Sequence, residues 1–400
     1  MLKMDPPFPL ESGTDWVSYH LMRTLALEHD ITYVTLTGSP KDEDAVREIE
    51  KYCSRVISER RPNARSWLHR VFYKLLYLTL SLFTGTPMIV LYNTPRVLQR
   101  RVRRLLDEES FDLIQVEYWY SAAYARDARA GRRFLLKHDV AYLADLRLQI
   151  HGRPGLNALW SRIKIAALKR AEIRACRNFD AVLTLTDADR DVFRETLDES
   201  VRIFSLPTVY LPFAEVPHAD EGPERIVFLG HLARPLATDA VTYFCDEVLP
   251  RIHRELPDVT FEIIGRGEEK VRHLRNRQGV NVVGFVSDVA SYVQGAAAMM
   301  VPLRGGTGIK IKVIEGMFAG LPIVTTSIGA EGIGVTHGRE VMIADDPENF
   351  ARCTLELLQE PGRRKDMSER ARRFAQERYG SQAAQRRLLD FYASEVAAVA

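Results

Sequence analysis

The strongest constraint on this chain is a repeated alternation. Short apolar runs close on loops rich in glycine or on a histidine–acid pair, and each loop leads into a stretch of helical spacing. The clearest instance is Val301 to Gly332, VPLRGGTGIKIKVIEGMFAGLPIVTTSIGAEG. An apolar strand end passes through a turn bearing Gly305, Gly306 and Gly308, then into a helix with Lys310, Lys312 and Glu315. Gly320 and Pro322 stop that helix, and a second strand, Ile323 to Thr325, follows. Glycine lets the backbone approach a ligand and leaves amides free at a helix start, where anions are stabilised. The lysines add mobile positive charge for phosphate, and Glu315 shares a helix face with Lys312. Such a turn suits a ligand carrying both phosphate and hydroxyl groups.

The same alternation runs through both halves. In the first, a helix is expected from Asp15 to about Leu27 and a strand at Ile31 to Leu36. A basic helix, Arg96 to Leu106, precedes a strand at Phe111 to Val116. Another strand, Phe134 to Lys137, ends in His138-Asp139; a helix over 156–177 and a strand at Ala181 to Leu185 follow. Only a few residues precede the proline-rich loop, so either the first strand is very short or the chain begins late. Ser205 to Pro223, with Pro207, Pro212, Pro217 and Pro223, reads as an interdomain linker. Beyond it come a strand (Arg225 to Leu229), a helix (Ala237 to Leu256) and a strand (Thr260 to Ile264). After the loop Gly265-Arg266-Gly267 a helix runs to Gln278, then a strand (Asn281 to Val283) and a helix (Val289 to Gly295). Residues 347–395 are helical and charged, closing with Ser381 to Val396. The expected fold is α/β, with two Rossmann-like parallel-sheet domains over 1–210 and 211–380. A chain of 400 residues also exceeds the usual size of one core.

Ligands of open α/β sheets bind beyond the carboxyl ends of the strands. Gly13, His138-Asp139, Gly230-His231, Arg266 and Gly306 to Gly308 all fall at such ends. Two sheets facing each other would bring them to one cleft, with the linker as hinge. A histidine at a strand end is often a satisfied structural residue, and its place at the expected cleft is what favours function. Thr186-Asp187-Ala188-Asp189 reads as a metal-binding acid pair or, more simply, as a helix N-cap with acids in the first turn.

Residues 60–84, RRPNARSWLHRVFYKLLYLTLSLFT, interleave aromatic and basic side chains. Either this helix lies on an anionic membrane surface, or it covers a sheet with its charges in water. A formal net charge of +2 is too mild to argue for nucleic acid. Cys53, Cys176, Cys245 and Cys353 form no CxxC pair, so reduced thiols in a cytoplasmic protein are expected and a zinc site is not. The N-terminus lacks the apolar segment of a signal peptide, and no apolar run reaches the length of a membrane span. The signatures GxGxxG at the chain start, GxxxxGK[ST], HExxH and GxSxG are missing, which speaks against dehydrogenase, P-loop, zincin and hydrolase readings.

Several runs together resemble the GT-B glycosyltransferases of family 4, retaining enzymes that use nucleotide-sugar donors. In the second half these are IVFLGHLARPLATDAVTYFCDEVLPRI, FEIIGRG, VVGFVSDVASYVQGAAAMMVPLRGGTGIKIKVIEGMFAGLPIVTTSIGAEGI, REVMIADDPENFA and ERYG. In the first half they are PPFPLESGT and LLKHDVAYL. The resemblance covers nearly the whole length. It implies that Glu315 holds the donor ribose, and that Lys312 and Lys310, with amides around Gly306, Thr307 and Gly308, neutralise the diphosphate. Gly230, His231 and Arg234 would line the donor cleft opposite, and Gly265, Arg266 and Phe285 would border the base. Gly13 would let its loop approach the diphosphate and acceptor, His138 would touch the transferred sugar, and Asp139 would orient the loop. A terminal helix over 381–400 would cross back onto the first domain. The implied reaction moves a sugar to a glycan or lipid-linked glycan with neither metal nor other cofactor. The implied location is the cytoplasm, peripheral at the inner membrane face if the 60–84 helix binds there. A nucleotide-sugar epimerase or phosphorylase on the same fold, and a non-catalytic subunit of a glycan assembly complex, are the alternatives. Two residues depart from the pattern: Thr307, eight positions before Glu315, replaces a second glutamate, and Ala237 replaces an asparagine.

Overall fold

Residues 1–10, 12–38, 41–62, 67–126, 128, 131–151, 158–209, 225–286, 289–293, 295–380 and 382–397 are described by the structure, a computed structural model. Two compact units emerge: Met1–Tyr142 with Pro154–Val209 and Gln385–Ala400, and Leu143–Arg153 with Tyr210–Ala384. All named strand pairs in both are parallel.

In the first unit β1 (Thr32–Thr37) pairs with β2 (Arg55–Arg60). The strands β3 (Leu113–Glu117), β4 (Arg132–Lys137), β5 (Ala181–Thr184) and β6 (Arg202–Ser205) form a four-stranded sheet in chain order. The expected first strand contracts to Leu2, which bridges Val34 of β1 and Val116 of β3. Every residue of β5 is buried, as the continuous apolar run requires of a parallel strand covered on both faces. The helices are α1 (Gly13–Leu25), α2 (Lys41–Glu50), α3 (Trp67–Thr84), α4 (Met88–Asn93), α5 (Arg96–Glu108), α6 (Ala141–His151), α7 (Ala158–Cys176) and α8 (Asp187–Arg194). From its third residue onward α6 groups with the second unit, in the segment Leu143–Arg153. Two helix starts follow from local chemistry. The Ser12 hydroxyl accepts from the Asp15 amide at 3.3 Å, and the Thr186 hydroxyl accepts from the Asp189 amide at 3.0 Å. The Thr186–Asp189 segment is therefore an N-cap.

The structure departs from expectation in several places. α1 begins at Gly13 and ends at Leu25, so Gly13 is the first helical residue rather than part of a loop. Neither α2 nor β2 was expected. α2, KDEDAVREIE, has few apolar side chains, of which Ala45 and Ile49 are fully buried, and β2, RVISER, has only Val56 and Ile57 as apolar residues. The chain from Arg202 to Ser205 is β6, and Leu206 and Val209 are buried, so the presumed linker starts later; 210–224 lie outside the described residues. The reading of 60–84 as a helix covering a sheet is wrong for α3. Trp67, Phe72 and Phe83 are 72%, 60% and 87% exposed, and Leu68, Val71, Leu75, Leu78 and Leu82 are exposed beside them.

The second unit is a six-stranded sheet in the order β12–β11–β10–β7–β8–β9. Its strands are β7 (Arg225–Leu229), β8 (Thr260–Ile264), β9 (Val280–Gly284), β10 (Ala298–Val301), β11 (Ile323–Thr325) and β12 (Met342–Ile343). β7 lies between β8 and β10, so the strand order reverses there and the loops after β7, β8 and β10 are neighbours. The helices are α9 (Pro235–Tyr243), α10 (Leu249–His253), α11 (Val289–Val293), α12 (Ile311–Phe318), α13 (Ser327–Ala330), α14 (Pro347–Gln359) and α15 (Pro361–Ala375). The single helix expected over Ala237 to Leu256 is split by a π-helical turn, Phe244–Val248. Pro250, at the start of α10, has no amide to continue a regular ladder, and the widened turn absorbs that loss. The helix expected after Gly267 is instead two short 3₁₀ segments, Glu268–Lys270 and Arg272–Asn276. Val271 and Leu274, both fully buried, lie three apart, which matches the three-residue period of that geometry. The last helix, α16 (Gln382–Ala397), joins the first unit from Gln385 onward. There the Tyr392 hydroxyl bonds the Gln115 side chain and Glu395 pairs with Arg202.

Candidate active site

In the second unit the loop after β8 presses against the loop after β7. A Cβ on Gly265, at φ +141°, would stand 1.7 Å from the Gly230 carbonyl oxygen, so only glycine fits. The Leu232 amide donates to Arg266 O at 2.7 Å, locking the two loops together. A Cβ on Gly230 would crowd two side chains, the Phe228 ring at 2.8 Å and the Lys312 ammonium nitrogen at 2.9 Å. That ammonium sits 4.6 Å from the centre of the Phe228 ring. Burial costs the Lys312 charge its hydration and lowers its pKa to about 8; Glu315 opposes the shift, while Arg234 and Lys310 add to it. Lys312 is thus a partly desolvated cation one turn from a carboxylate, beside a glycine loop. His231, next to Gly230, has a buried Nδ1 with no hydrogen-bond partner. Arg234 is exposed at the N-cap of α9, followed by Pro235 at the first helical position. The Arg266 guanidinium lies over the Phe285 ring at 4.2 Å, and Phe285 is itself exposed, a cation–π pair open to an aromatic ligand.

The turn from β10 to α12 is held from several sides. Gly306 and Gly308 have φ of +106° and +74°, which a side chain would oppose. Arg304 pairs with Asp239 of α9 and stacks over Tyr243 at 4.6 Å. Within the same unit Arg147 donates to Gly306 O at 2.6 Å and grips Glu331 bidentately at 2.7 and 2.8 Å. Lys310, buried, donates to Gly308 O at 2.6 Å and stands 4.0 Å from Glu331. Lys310 is therefore turned onto the turn's own backbone, and Lys312 is the lysine set against Gly230. Thr307 is partly exposed between the two glycines, and Glu315 lies within α12. Arg147, Arg304, Asp239 and Glu331 escaped sequence reading because nothing local marks a residue that grips a turn from another element.

In the first unit the ends of β3 and β4 build a second cluster. His138 and Glu117 are fully buried, with His138 Nε2 2.8 Å from Glu117 Oε2. Ser18 of α1 reaches the same oxygen at 2.5 Å. Below them Lys137 is paired with Glu172 of α7, both almost without exposure. Glu172 also accepts from the amides of Ala141 and Tyr142 at 3.1 and 3.3 Å, capping α6 in place of a local side chain. Asp139 is partly exposed in the turn between them. Gly13 opens α1, five residues before Ser18. Among the described residues, no three His, Cys, Asp or Glu side chains gather to hold a metal ion. Within those residues, too, no helix is long and apolar enough to cross a membrane.

Comparison with known proteins follows the same division. The glycosyl transferase 4-like domain matches residues 12–208, and glycosyl transferases group 1 matches residues 223–360. An uncharacterized 44.6 kDa protein from the cps region of Klebsiella pneumoniae is 26% identical over 166 residues, 39% of this chain and 43% of that protein. A phosphatidyl-myo-inositol mannosyltransferase of Mycolicibacterium smegmatis is 28% identical over 160 residues, 37% of this chain and 40% of its own. The chain therefore spans less than half the length of these curated relatives. The solved structure of a sucrose-phosphate synthase from Thermosynechococcus elongatus superimposes with a TM-score of 0.71 at 16% identity, covering 99% of this chain and 98% of that one. The fold is GT-B, and along the chain a match to the glycosyl transferase 4-like domain is followed by a match to glycosyl transferases group 1.

Proposed function

We propose that this chain is a retaining glycosyltransferase that moves a sugar from a nucleotide-diphosphate sugar to a glycan or lipid-linked glycan, without a metal ion. The observation that carries the reading is Lys312, a partly desolvated cation against the Gly230 loop with Glu315 one turn away. Breaking a sugar–phosphate bond builds negative charge on the leaving diphosphate and positive character at the anomeric carbon. Lys312 meets the first demand, together with the amides around Gly306, Thr307 and Gly308, while Lys310 steadies that turn from behind. Glu315 accepts from the donor ribose hydroxyls. Arg266 and Phe285 offer a stacking surface for the base, and Gly230, His231 and Arg234 border the donor. In the first unit His138 touches the transferred sugar and Asp139 orients its turn, with Gly13 leaving helix-start amides for the ligand. The acceptor attacks on the face the diphosphate leaves, and the leaving phosphate takes the acceptor proton, so no enzyme nucleophile is needed.

The test is acceptor-dependent release of nucleoside diphosphate, with the anomeric configuration of the product read by NMR. Retention with acceptor-dependent release supports the reading. Release without acceptor points to an epimerase or hydrolytic reaction, and inversion removes the retaining mechanism.

A membrane partner is part of this proposal, with the protein cytoplasmic and peripheral at the inner face. The exposed apolar side of α3 runs on to exposed Met88 and Ile89 of α4, and α5 follows with Arg96, Arg100, Arg103 and Arg104 exposed. Apolar groups beside a basic helix suit a bilayer bearing anionic headgroups. Co-sedimentation with anionic vesicles and none with neutral ones is the expected result; equal recovery with neither vesicle defeats this part.

A further inference from the structure

The buried cluster of the first unit is incompletely satisfied: Glu117 Oε1 and His138 Nδ1 both lack a hydrogen-bond partner, and the imidazole nitrogen is the one with a definite chemistry. Glu117 Oε2 lies 2.8 Å from His138 Nε2 and 2.5 Å from Ser18 Oγ, and the single Ser18 hydroxyl proton is shared between that oxygen and Thr14 O, 2.8 Å away. A carboxylate only accepts, so Nε2 carries a proton, and in the neutral ring Nδ1 keeps its lone pair. That Nδ1 is buried and has no hydrogen-bond partner. A purely structural histidine ordinarily satisfies both nitrogens.

The residue between the two partners is held in a costly conformation. Tyr118 has φ +68°, the one positive value recorded for a non-glycine among the described residues. Bulky side chains oppose that region, and such strain persists only where the surroundings over-determine it. Here the Tyr118 amide donates to Leu136 O at 3.0 Å. Its ring lies 4.7 Å from the His138 ring on one side and 5.0 Å from Tyr120, nearly parallel, on the other. The strained turn thus clamps the imidazole face that Glu117 orients from the edge.

We propose that Glu117 is a positioning residue: with Ser18 it holds His138 as the Nε2–H tautomer against Tyr118, so that Nδ1 is kept as an acceptor for a hydroxyl of the transferred sugar. This rests on the reading of His138 as a sugar contact and assigns the groups that make it one. A donor sugar with a free hydroxyl at the contacted carbon is then required, and its deoxy analogue is a poor substrate. The loss is large because the buried acceptor stays unpaired.

Long-range ¹H–¹⁵N spectra of the imidazoles in the full chain test this, with the His138 signals assigned by their loss in His138→Asn. The expected state of the free protein at neutral pH is a neutral ring protonated at Nε2. A ring protonated at Nδ1, or at both nitrogens, overturns the proposal. Glu117→Gln can donate or accept, so it should mix the tautomers and lower kcat roughly 10- to 100-fold, by analogy with the loss when the outer-shell partner of a metal-ligating histidine is changed. Its donor KM should stay within about threefold. Unchanged tautomer populations or unchanged kcat in a folded Glu117→Gln protein also overturn the proposal. Should that variant not fold, Ser18→Ala, which removes one of the two bonds on the carboxylate, is expected to shift the populations in the same direction, and no shift counts against the proposal. Full activity in His138→Asn would defeat the sugar-contact reading while leaving the tautomer result standing, so the two failures are distinguishable.

Discussion

Around Lys312 most of the polar groups come from one continuous stretch, and Thr307, Lys312 and Glu315 in it are partly exposed. Around His138 they come from four elements and are almost wholly buried. In the second unit Gly306, Thr307, Gly308, Lys310, Lys312 and Glu315 occupy a single turn and the helix it starts. In the first unit His138 meets Glu117 across 21 positions and Ser18 meets Glu117 across 99, while Lys137 meets Glu172 across 35. The contrast teaches that the two units meet different electrostatic demands. On the proposed reading, the charge of that turn serves an incoming anion. A buried cluster must satisfy itself or its ligand, so removing one member there disturbs fold as well as chemistry.

Glu172→Ala should break the comparison most visibly, because it strands the buried Lys137 ammonium and uncaps α6. A loss of about 3–5 kcal/mol in urea denaturation is expected, and adding Lys137→Met should restore much of it. Glu315→Ala and Lys312→Ala should do the reverse, lowering turnover roughly 10²- to 10³-fold with little change in melting temperature. If these variants unfold the protein instead, the second site is structural and the contrast collapses. Leu82→Glu with Phe83→Glu should weaken anionic-vesicle binding by roughly tenfold or more, as two exposed apolar groups leave the interface.

The smallest expected effect is a pH dependence. The free protein holds Lys312 at about 8, and a bound diphosphate favours its charged form. Below pH 8 the ammonium is already charged and donor affinity is flat. Above it each bound ligand must also take up a proton, so affinity falls by at most about tenfold per pH unit. Calorimetry across pH 7 to about 9.5 should show this slope in the wild type and none in Lys312→Met.

How much was legible in the sequence follows the same division. The parallel α/β architecture was readable because each buried strand is a short apolar run bounded by charge or glycine. The β10–α12 turn was readable because its chemistry lies within one run of residues. Gly13 was misplaced because the Ser12 cap starts α1 two residues earlier than the apolar spacing implies. The helix after Gly267 was overread, since buried residues three apart fit a 3₁₀ turn as well as an α-helix. Glu117 ends FDLIQVE as a charge closing an apolar run, which looks like a boundary marker. Only the pairing of β3 with β4 reveals it as a partner of His138. The exposure of α3 was hidden for a similar reason, because an all-apolar face reads as burial unless the neighbouring elements are known.

The central claim, that the glycine loops around Lys312 and Glu315 bind a nucleotide sugar, is tested most directly by thermal shift. A panel of nucleoside diphosphates and their sugars would be screened against wild type and Glu315→Ala. One base is expected to raise the wild-type melting temperature, since a ligand at about 100 times its Kd adds about 2.7 kcal/mol, and the shift should vanish in the variant. No shift with any member of the panel, or a shift undiminished in Glu315→Ala, would contradict the claim.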